Sequence, residues 1–486
     1  MSNGGADLFK NKIVVLVAFV GIAIIIFSAS TGRIFLSDDY LTLHNIADNN
    51  SILLPSFFRP LGDLTLKWNY LATGWDPFYF YLTNILIHAL NSFLVYLVCK
   101  KWFAVEGRAD AYALIAGLIF LTYPSHSEAI LWAIGRGISL AVTFSLLAMI
   151  VFISETNRPL KYFLVCTFYF LAMASYESAI LLPFILFTMP GRNFRDNKMR
   201  WPGLLVFTLL IHVFLRYQFT GGMWQAYNGI IFSRDLIHYL SSFSKIILRL
   251  FVPPFNHPLV FTICGVVALV LLFVIFTRNR KKFESDSIFA KTTILVVIGL
   301  LVTTIIGVSF GLSTRTSEGD RLLYFPSVFY SVLISLLVIK LISSIKMVVV
   351  TAGVILIFQI NFLLINQTHW IRASEYAVKV INAIGAHPER PLYIINLPSD
   401  HEGAYIFRNG LTEALLHYSI DTAGIKVMNI IQSTEIEERK TLIIPEIRSA
   451  NIFIWPNTVL DAKRSGTFLF WNKEDLVPVS NYFISR

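Results

Sequence analysis

The polar residues able to do chemistry fall in a few short clusters of an otherwise apolar chain. Asp38 and Asp39 are adjacent carboxylates within Ser37-Asp38-Asp39-Tyr40, a few residues past the first apolar run. Such a pair can hold a divalent cation, supply a general base, or cap a short helix. Asn84, His88 and Asn91 are spaced to share one helix face. A polar face in lipid turns toward partners inside a bundle, for packing or for a ligand. His126 and Glu128 share one turn and can polarise a substrate or bind metal. Arg136 follows at the start of another apolar run, where an arginine costs about 2.5–3.5 kcal/mol to insert and so requires a partner. That partner is either Glu128 or a lipid phosphate. Glu177 is either a site carboxylate or the counter-ion of an arginine. Arg315 and Arg321 bracket a short loop with Glu318 and Asp320. Guanidinium forks match phosphate in a bidentate way, and they also match carboxylates.

These clusters must be positioned by membrane-spanning helices. The chain has 486 residues, 55% hydrophobic and only 14% charged, with a mean hydropathy of +0.64. Soluble domains carry about 25% charge. The composition excludes a purely soluble enzyme and a disordered chain, and its long apolar runs argue against an outer-membrane barrel. Spanning a bilayer takes about 20 apolar residues. Eleven spans are predicted, near 13–30, 78–99, 109–124, 130–153, 161–175, 178–189, 203–217, 258–277, 290–310, 322–341 and 347–366. The first is read as an anchor helix, with no convincing cleavage site after it. Cys99, Cys166 and Cys264 all lie in apolar runs and read as small hydrophobes.

The net charge of +10 is not a nucleic-acid signature. Residues 367–486 hold 12 Lys+Arg and 13 Asp+Glu, leaving 28 basic and 17 acidic residues in the membrane part. With the N-terminus in the cytoplasm, one set of alternate loops collects 18 of those 28 basic residues against 7 acids. It includes Lys10, Lys100, Lys101, Arg192, Arg195, Lys198 and Lys282. This is the positive-inside bias. An odd number of spans then puts the tail 367–486 outside, with the long first loop 31–77 and the loop 218–257 containing Trp224. Every cluster above falls near that outer face. The tail is predicted as a small α/β domain, with a helix over 371–384. Its strands are expected at Leu392–Leu397, Ala404–Phe407, Leu442–Ile444, Asn451–Trp455 and Thr467–Trp471.

The blocks resemble those of GT-C glycosyltransferases. Residues 78–97, with Asn84, His88-Ala89-Leu90-Asn91 and Tyr96, look like the second-span signature of that superfamily, and specifically of bacterial relatives of the transmembrane O-mannosyltransferase, tetratricopeptide-containing group. Tyr123–Arg136 resembles that group's His-Pro-x-His-x-Glu-Ala block, Ser175–Pro183 its Ser-Lys-Glu block, and Asp320–Ser327 its Arg-Tyr-Leu-Tyr-Leu-Pro-Ser block. Asp38-Asp39 falls where the superfamily places an acidic pair. Tyr123 and Tyr176 depart from the pattern, and no tetratricopeptide repeats follow. The resemblance implies a GT-C-like domain over 1–366 and an inverting transfer of a sugar from a polyprenyl or dolichyl phosphate on the non-cytoplasmic side. The acceptor would be a hydroxyl of a glycan, lipid or protein.

The resemblance further implies Asp38 as general base, with Asp39 orienting the acceptor. His88, His126, Glu128 and Glu177 would shape the donor site. Arg136, Arg315 and Arg321 would neutralise the leaving phosphate. Asp39, His126 and Glu128 are the candidates for a divalent cation, Mg²⁺ or Mn²⁺. In a bacterium the membrane would be the inner one, with a periplasmic tail. Two other classes fit the composition: a non-enzymatic carrier or flippase of lipid-linked glycans, and an O-antigen-type polymerase or ligase. The carrier needs a polar path through the bilayer, and the polarity here lies at one face.

Overall fold

A computed structural model describes residues 11–49, 51, 57–103, 108–155, 157–189, 200–221, 235–281, 286–430, 452–454 and 466–478. Trp224, the expected strand Leu442–Ile444 and the basic residues Lys10, Arg192, Arg195, Lys198 and Lys282 lie outside them. The described chain is mostly helical. It forms two compact units: Met1–Gly32 with Asn45–Thr368, and Arg33–His44 with His369–Arg486. The boundary expected at 366/367 therefore falls at 368/369, and the second unit also takes a segment of the first outer loop.

The first unit is built from helices α1 (Lys12–Phe27), α3 (Pro60–Thr73), α4 (Pro77–Trp102), α5 (Ala109–Leu121), α6 (Ser127–Leu131), α7 (Arg136–Ile153), α8 (Arg158–Met173), α9 (Leu182–Thr188), α10 (Arg200–Thr220), α11 (Leu236–Phe251), α12 (Pro258–Arg278), α13 (Ser287–Phe310), α14 (Pro326–Leu341) and the start of α15 (Ile345–Gly385). Helix α2 (Asp38–Asp48) begins in the second unit. Their starts follow from local chemistry. Asp76 accepts from the Phe78 N–H, with Pro77 in the first turn of α4 and Lys100 and Lys101 in its last. Asn11, Asp235 and Asp286 cap α1, α11 and α13 in the same way.

All eleven predicted spans are helical over most of their length. Among the described residues, seven helices are long and apolar enough to cross a membrane, and eight if the bent pair Ala109–Leu121 and Pro124–Leu131 forms one span. Glu177–Phe187 and Pro326–Leu341 are apolar but shorter, so the count of eleven is not reproduced by length and composition. The outer loops expected at 31–77 and 218–257 contain α2, α3 and α11. The long helices leave large apolar side chains uncovered, among them Val266, Leu271, Phe273 and Val354. Helices this long and apolar, with uncovered apolar faces, suit the hydrocarbon of a bilayer, and the chain is an integral membrane protein. Helix α4 packs against α1, α5 and α7, burying Tyr81, Tyr96, Tyr112 and Phe120.

The second unit centres on a five-stranded sheet in the order β5-β4-β1-β6-β7. Strand β1 (Leu392–Ile395) lies parallel to β4 (Ile425–Ile430) and β6 (Thr467–Trp471). The edges β5 (Ile452–Ile454) and β7 (Leu476–Pro478) are antiparallel. Every residue of β1 is buried, as a central parallel strand requires. Strand β4 was missed because Lys426 and Asn429 break its apolar run. A small hairpin pairs β2 (Asp400–His401) with β3 (Ala404–Tyr405), ahead of helix α16 (Leu411–His417). The helix expected over 371–384 is no separate element, because α15 runs unbroken to Gly385.

Candidate functional site

The site in the first unit is created by a broken helix. Pro124 has no N–H to give, so the helix that ends at Leu121 cannot run on, and the chain turns by 56° into α6. The turn carries His126 and Glu128 to fully buried positions. Trp132 is extended and Gly135 closes the next turn, donating its N–H to the Trp132 carbonyl at 3.0 Å. A Cβ at 135 would stand 2.6 Å from the Glu128 carbonyl oxygen, so only glycine lets this turn fold back onto α6.

Glu128 meets Arg321, not Arg136. Its Oε2 accepts from the Arg321 backbone N–H at 2.9 Å, and Oε1 pairs with the guanidinium. That guanidinium lies 5.6 Å from the Trp132 ring centre and donates to the Tyr176 hydroxyl at 3.4 Å. The other face of this group is made by Arg59, whose guanidinium stacks over the Tyr176 ring at 4.1 Å. Arg59 also pairs with Glu177 at 2.9 Å, and Arg216 reaches the same carboxylate at 3.3 Å. Three arginines and two glutamates thus gather around one tyrosine. Glu177 is 13% and Glu128 0% exposed, against 24% for Arg59, 27% for Arg321 and 8% for Arg216. Arg216 Nε is buried with no acceptor among the described residues. Asp63, one turn into α3, is pushed by burial up to about 7, with Arg59 pulling the other way. Arg59 and Arg216 are not among the sequence candidates. Arg216 carried a usable signal, as an arginine inside an apolar stretch.

Arg136 is fully buried and links helices. Its Nε donates to Asn84 Oδ1 at 2.7 Å, and its terminal nitrogens to the Thr65 and Phe80 carbonyls at 3.0 Å and to Asn69 Oδ1. Neutral dipoles thus take the donors that the sequence assigned to a phosphate or to Glu128. His88 and His126 lie deeper, ring centres 5.0 Å apart. His88 contacts the Tyr324 hydroxyl at 2.9 Å and the Leu121 carbonyl at 3.0 Å, and His126 Nε2 the Ser327 hydroxyl at 2.7 Å. Asn91 joins this network through the Tyr324 hydroxyl at 3.0 Å. All five side chains are enclosed by the bundle. In the 311–325 loop, Asp320 pairs with Arg249, both fully buried. Burial pushes the Asp320 carboxyl up to about 7; Arg249 opposes the rise, and the Glu128 charge adds to it. Arg315 is exposed.

Asp38 and Asp39 belong to the second unit, in the first turn of α2. Asp39 is fully buried, and its Oδ2 accepts from the Leu36 N–H at 3.1 Å. Asp38 is half-buried. Among the described residues, no group of three or more His, Cys, Asp and Glu is placed to hold a metal ion. Of the metal candidates, Glu128 is engaged by Arg321, His126 by Ser327, and Asp39 by its own turn.

Comparison with curated proteins gives a class of relatives: the TMTC protein O-mannosyl-transferases. The chain is 34% identical over 100 residues to tmtc2 of Xenopus laevis, which is 21% of this chain and 12% of that protein. It is 36% identical over 93 residues to TMTC1 of Homo sapiens, 19% of this chain and 10% of that protein. The resemblance to this group therefore holds over about a fifth of the chain, and the match spans about a tenth of the relatives' own length. Among solved structures, ArnT from Cupriavidus metallidurans bound to undecaprenyl phosphate aligns over 90% of this chain and 96% of its own, with a TM-score of 0.49 and 12% identity. No protein-family model matches the chain.

Proposed function

We propose that the chain is an integral-membrane glycosyltransferase of the GT-C type. It takes a sugar from a polyprenyl-phosphate donor and passes it, with inversion, to an acceptor hydroxyl outside the cytoplasm. The observation that carries this reading is the arginine group around Tyr176. Its three guanidiniums outnumber the two carboxylates that pair with them, burial raises the nearby Asp63 carboxyl toward its neutral form, and Arg216 Nε has no acceptor among the described residues. Arginine forks with excess charge at a partly open surface suit a phosphate. The similarity to protein O-mannosyl-transferases supports sugar transfer as the reaction.

In this reading Arg59 and Arg321 bind the donor phosphate and stabilise the negative charge that grows on it as the glycosidic bond breaks. Glu128, Glu177 and Tyr176 hold those guanidiniums in place. A carboxylate takes the acceptor proton, and Asp38 is assigned that role. Arg136, His88 and His126 brace the helices rather than touch the donor. The N-terminus is cytoplasmic and the second unit periplasmic, in a bacterial inner membrane.

The test is sugar release by the purified protein in detergent. Radiolabelled mannosyl-, glucosyl- and aminoarabinosyl-polyprenyl phosphates are offered, with and without Mg²⁺ or Mn²⁺. Release from one donor, lost in Asp38→Asn and weakened in donor binding by Arg321→Ala, bears out the reading. Lipid binding without release from any donor refutes it in favour of a carrier.

A further inference from the structure

The residue ahead of the acidic pair is held in an unfavourable conformation. Ser37 has a φ of 50° and is fully buried. A non-glycine residue in the left-handed region is strained and persists only where its surroundings enforce it. Those surroundings are the 406–410 segment, about 370 positions later in the chain and in the same compact unit. The Ser37 N–H donates to the Ile406 carbonyl at 2.9 Å, and the Ser37 hydroxyl accepts from the Asn409 N–H at 3.3 Å. The Ser37 carbonyl oxygen lies against Gly410, where a Cβ would stand 2.4 Å from it. Gly410 itself has a φ of 77°. The segment is in turn tied down, with Ile406 N–H on the Ser399 carbonyl at 2.9 Å. On the far side of the turn, Tyr40 is buried against His417 and Tyr418, ring centres 5.8 and 6.5 Å away.

We propose that Gly410 is a positioning residue for turnover: with the Ile406 and Asn409 backbone, it locks the Ser37 turn and so fixes the direction of Asp38. This rests on the reading above, in which Asp38 is the general base. The 406–410 segment then acts on the chemical step and not on donor affinity. A base displaced by about 1 Å loses roughly 100-fold in rate while binding is retained.

The full-length protein is assayed for kcat and KM with the donor identified by the release assay. Gly410→Ala is compared with Gly424→Ala. Gly424 also has a left-handed φ, 73°, but the nearest atom a Cβ there would meet is in the Arg390 side chain, at 3.4 Å, an ordinary contact. A kcat lowered roughly 100-fold at unchanged KM in Gly410→Ala, with Gly424→Ala near wild type, supports the proposal. Equal kcat in the two variants overturns it. If Gly410→Ala fails to fold, Ser37→Gly decides. Glycine accepts the φ without strain but gives up the hydroxyl contact, so a several-fold lower kcat at wild-type KM and melting temperature supports the lock, and wild-type kcat refutes it. Full activity of Asp38→Asn removes the base assignment itself. A dead Asp38→Asn beside a fully active Gly410→Ala removes only the lock.

Discussion

Glu128 and Arg321 stand 193 positions apart and share two contacts, one through the backbone and one through the side chain. Glu128 has no exposure, so removing its partner strands a buried charge, whereas removing Glu128 leaves a guanidinium that is 27% exposed and can reach water. Arg321→Ala is therefore expected to destabilise more than Glu128→Gln. A double-mutant cycle read by thermal melting in detergent should give a coupling of about 0.5–3 kcal/mol. Additive losses would show that the pair is not a unit. Arg59→Ala should lower kcat/KM for the donor, through both weaker donor binding and a smaller kcat, because in the proposed reading its guanidinium would hold the phosphate and the charge that grows on it. Unchanged donor affinity in both Arg59→Ala and Arg321→Ala would rule out the Tyr176 group as the phosphate site.

At the scale of elements, the turn between α6 and α7 depends on one missing methyl group. Gly135→Ala would push the new Cβ to 2.6 Å from the Glu128 carbonyl, a backbone atom that cannot swing away. It is expected to lower the melting temperature clearly. Gly21→Ala in α1 meets nothing within 4 Å and should be neutral or slightly stabilising, as helix propensity predicts. Equal melting of the two variants would contradict the close packing of that turn. The loop between α13 and α14 carries a pH dependence. The Asp320 carboxyl is raised from an ordinary 3.8 to about 7, so between those values the folded protein holds a proton that the unfolded chain releases. Stability should fall as pH rises through that window and level off above it. Asp320→Asn should flatten this slope, measured as melting temperature from pH 4 to 8; an unchanged slope would assign the dependence to other groups.

For the whole molecule, the distribution of basic residues predicts sidedness. A reporter fused after Arg486 should be active only outside the cytoplasm, and one placed before Lys12 only inside. Both reporters on one side would require an even number of crossings. The helices were legible in the sequence, because burial in lipid writes itself into consecutive residues: each of the eleven apolar stretches is helical, and none is a strand. A turn carrying His126 and Glu128 was expected between two of them, and Glu128, Glu177 and Arg321 were singled out by their type. Their pairing was not legible. Arg136 is the nearer arginine to Glu128 in the chain, yet it is spent on Asn84 and backbone carbonyls, while Arg321 reaches across. Arg59 joins Glu177 over 118 positions, and Arg33–His44 joins the tail rather than the helices it adjoins. The sequence by itself determined the membrane class, the helices and the kinds of charged group available, since these follow from local hydropathy and spacing. The tertiary structure alone decided which arginine meets which carboxylate and which unit holds the acidic pair, because those contacts depend on how distant segments pack, and no periodicity in the chain encodes that.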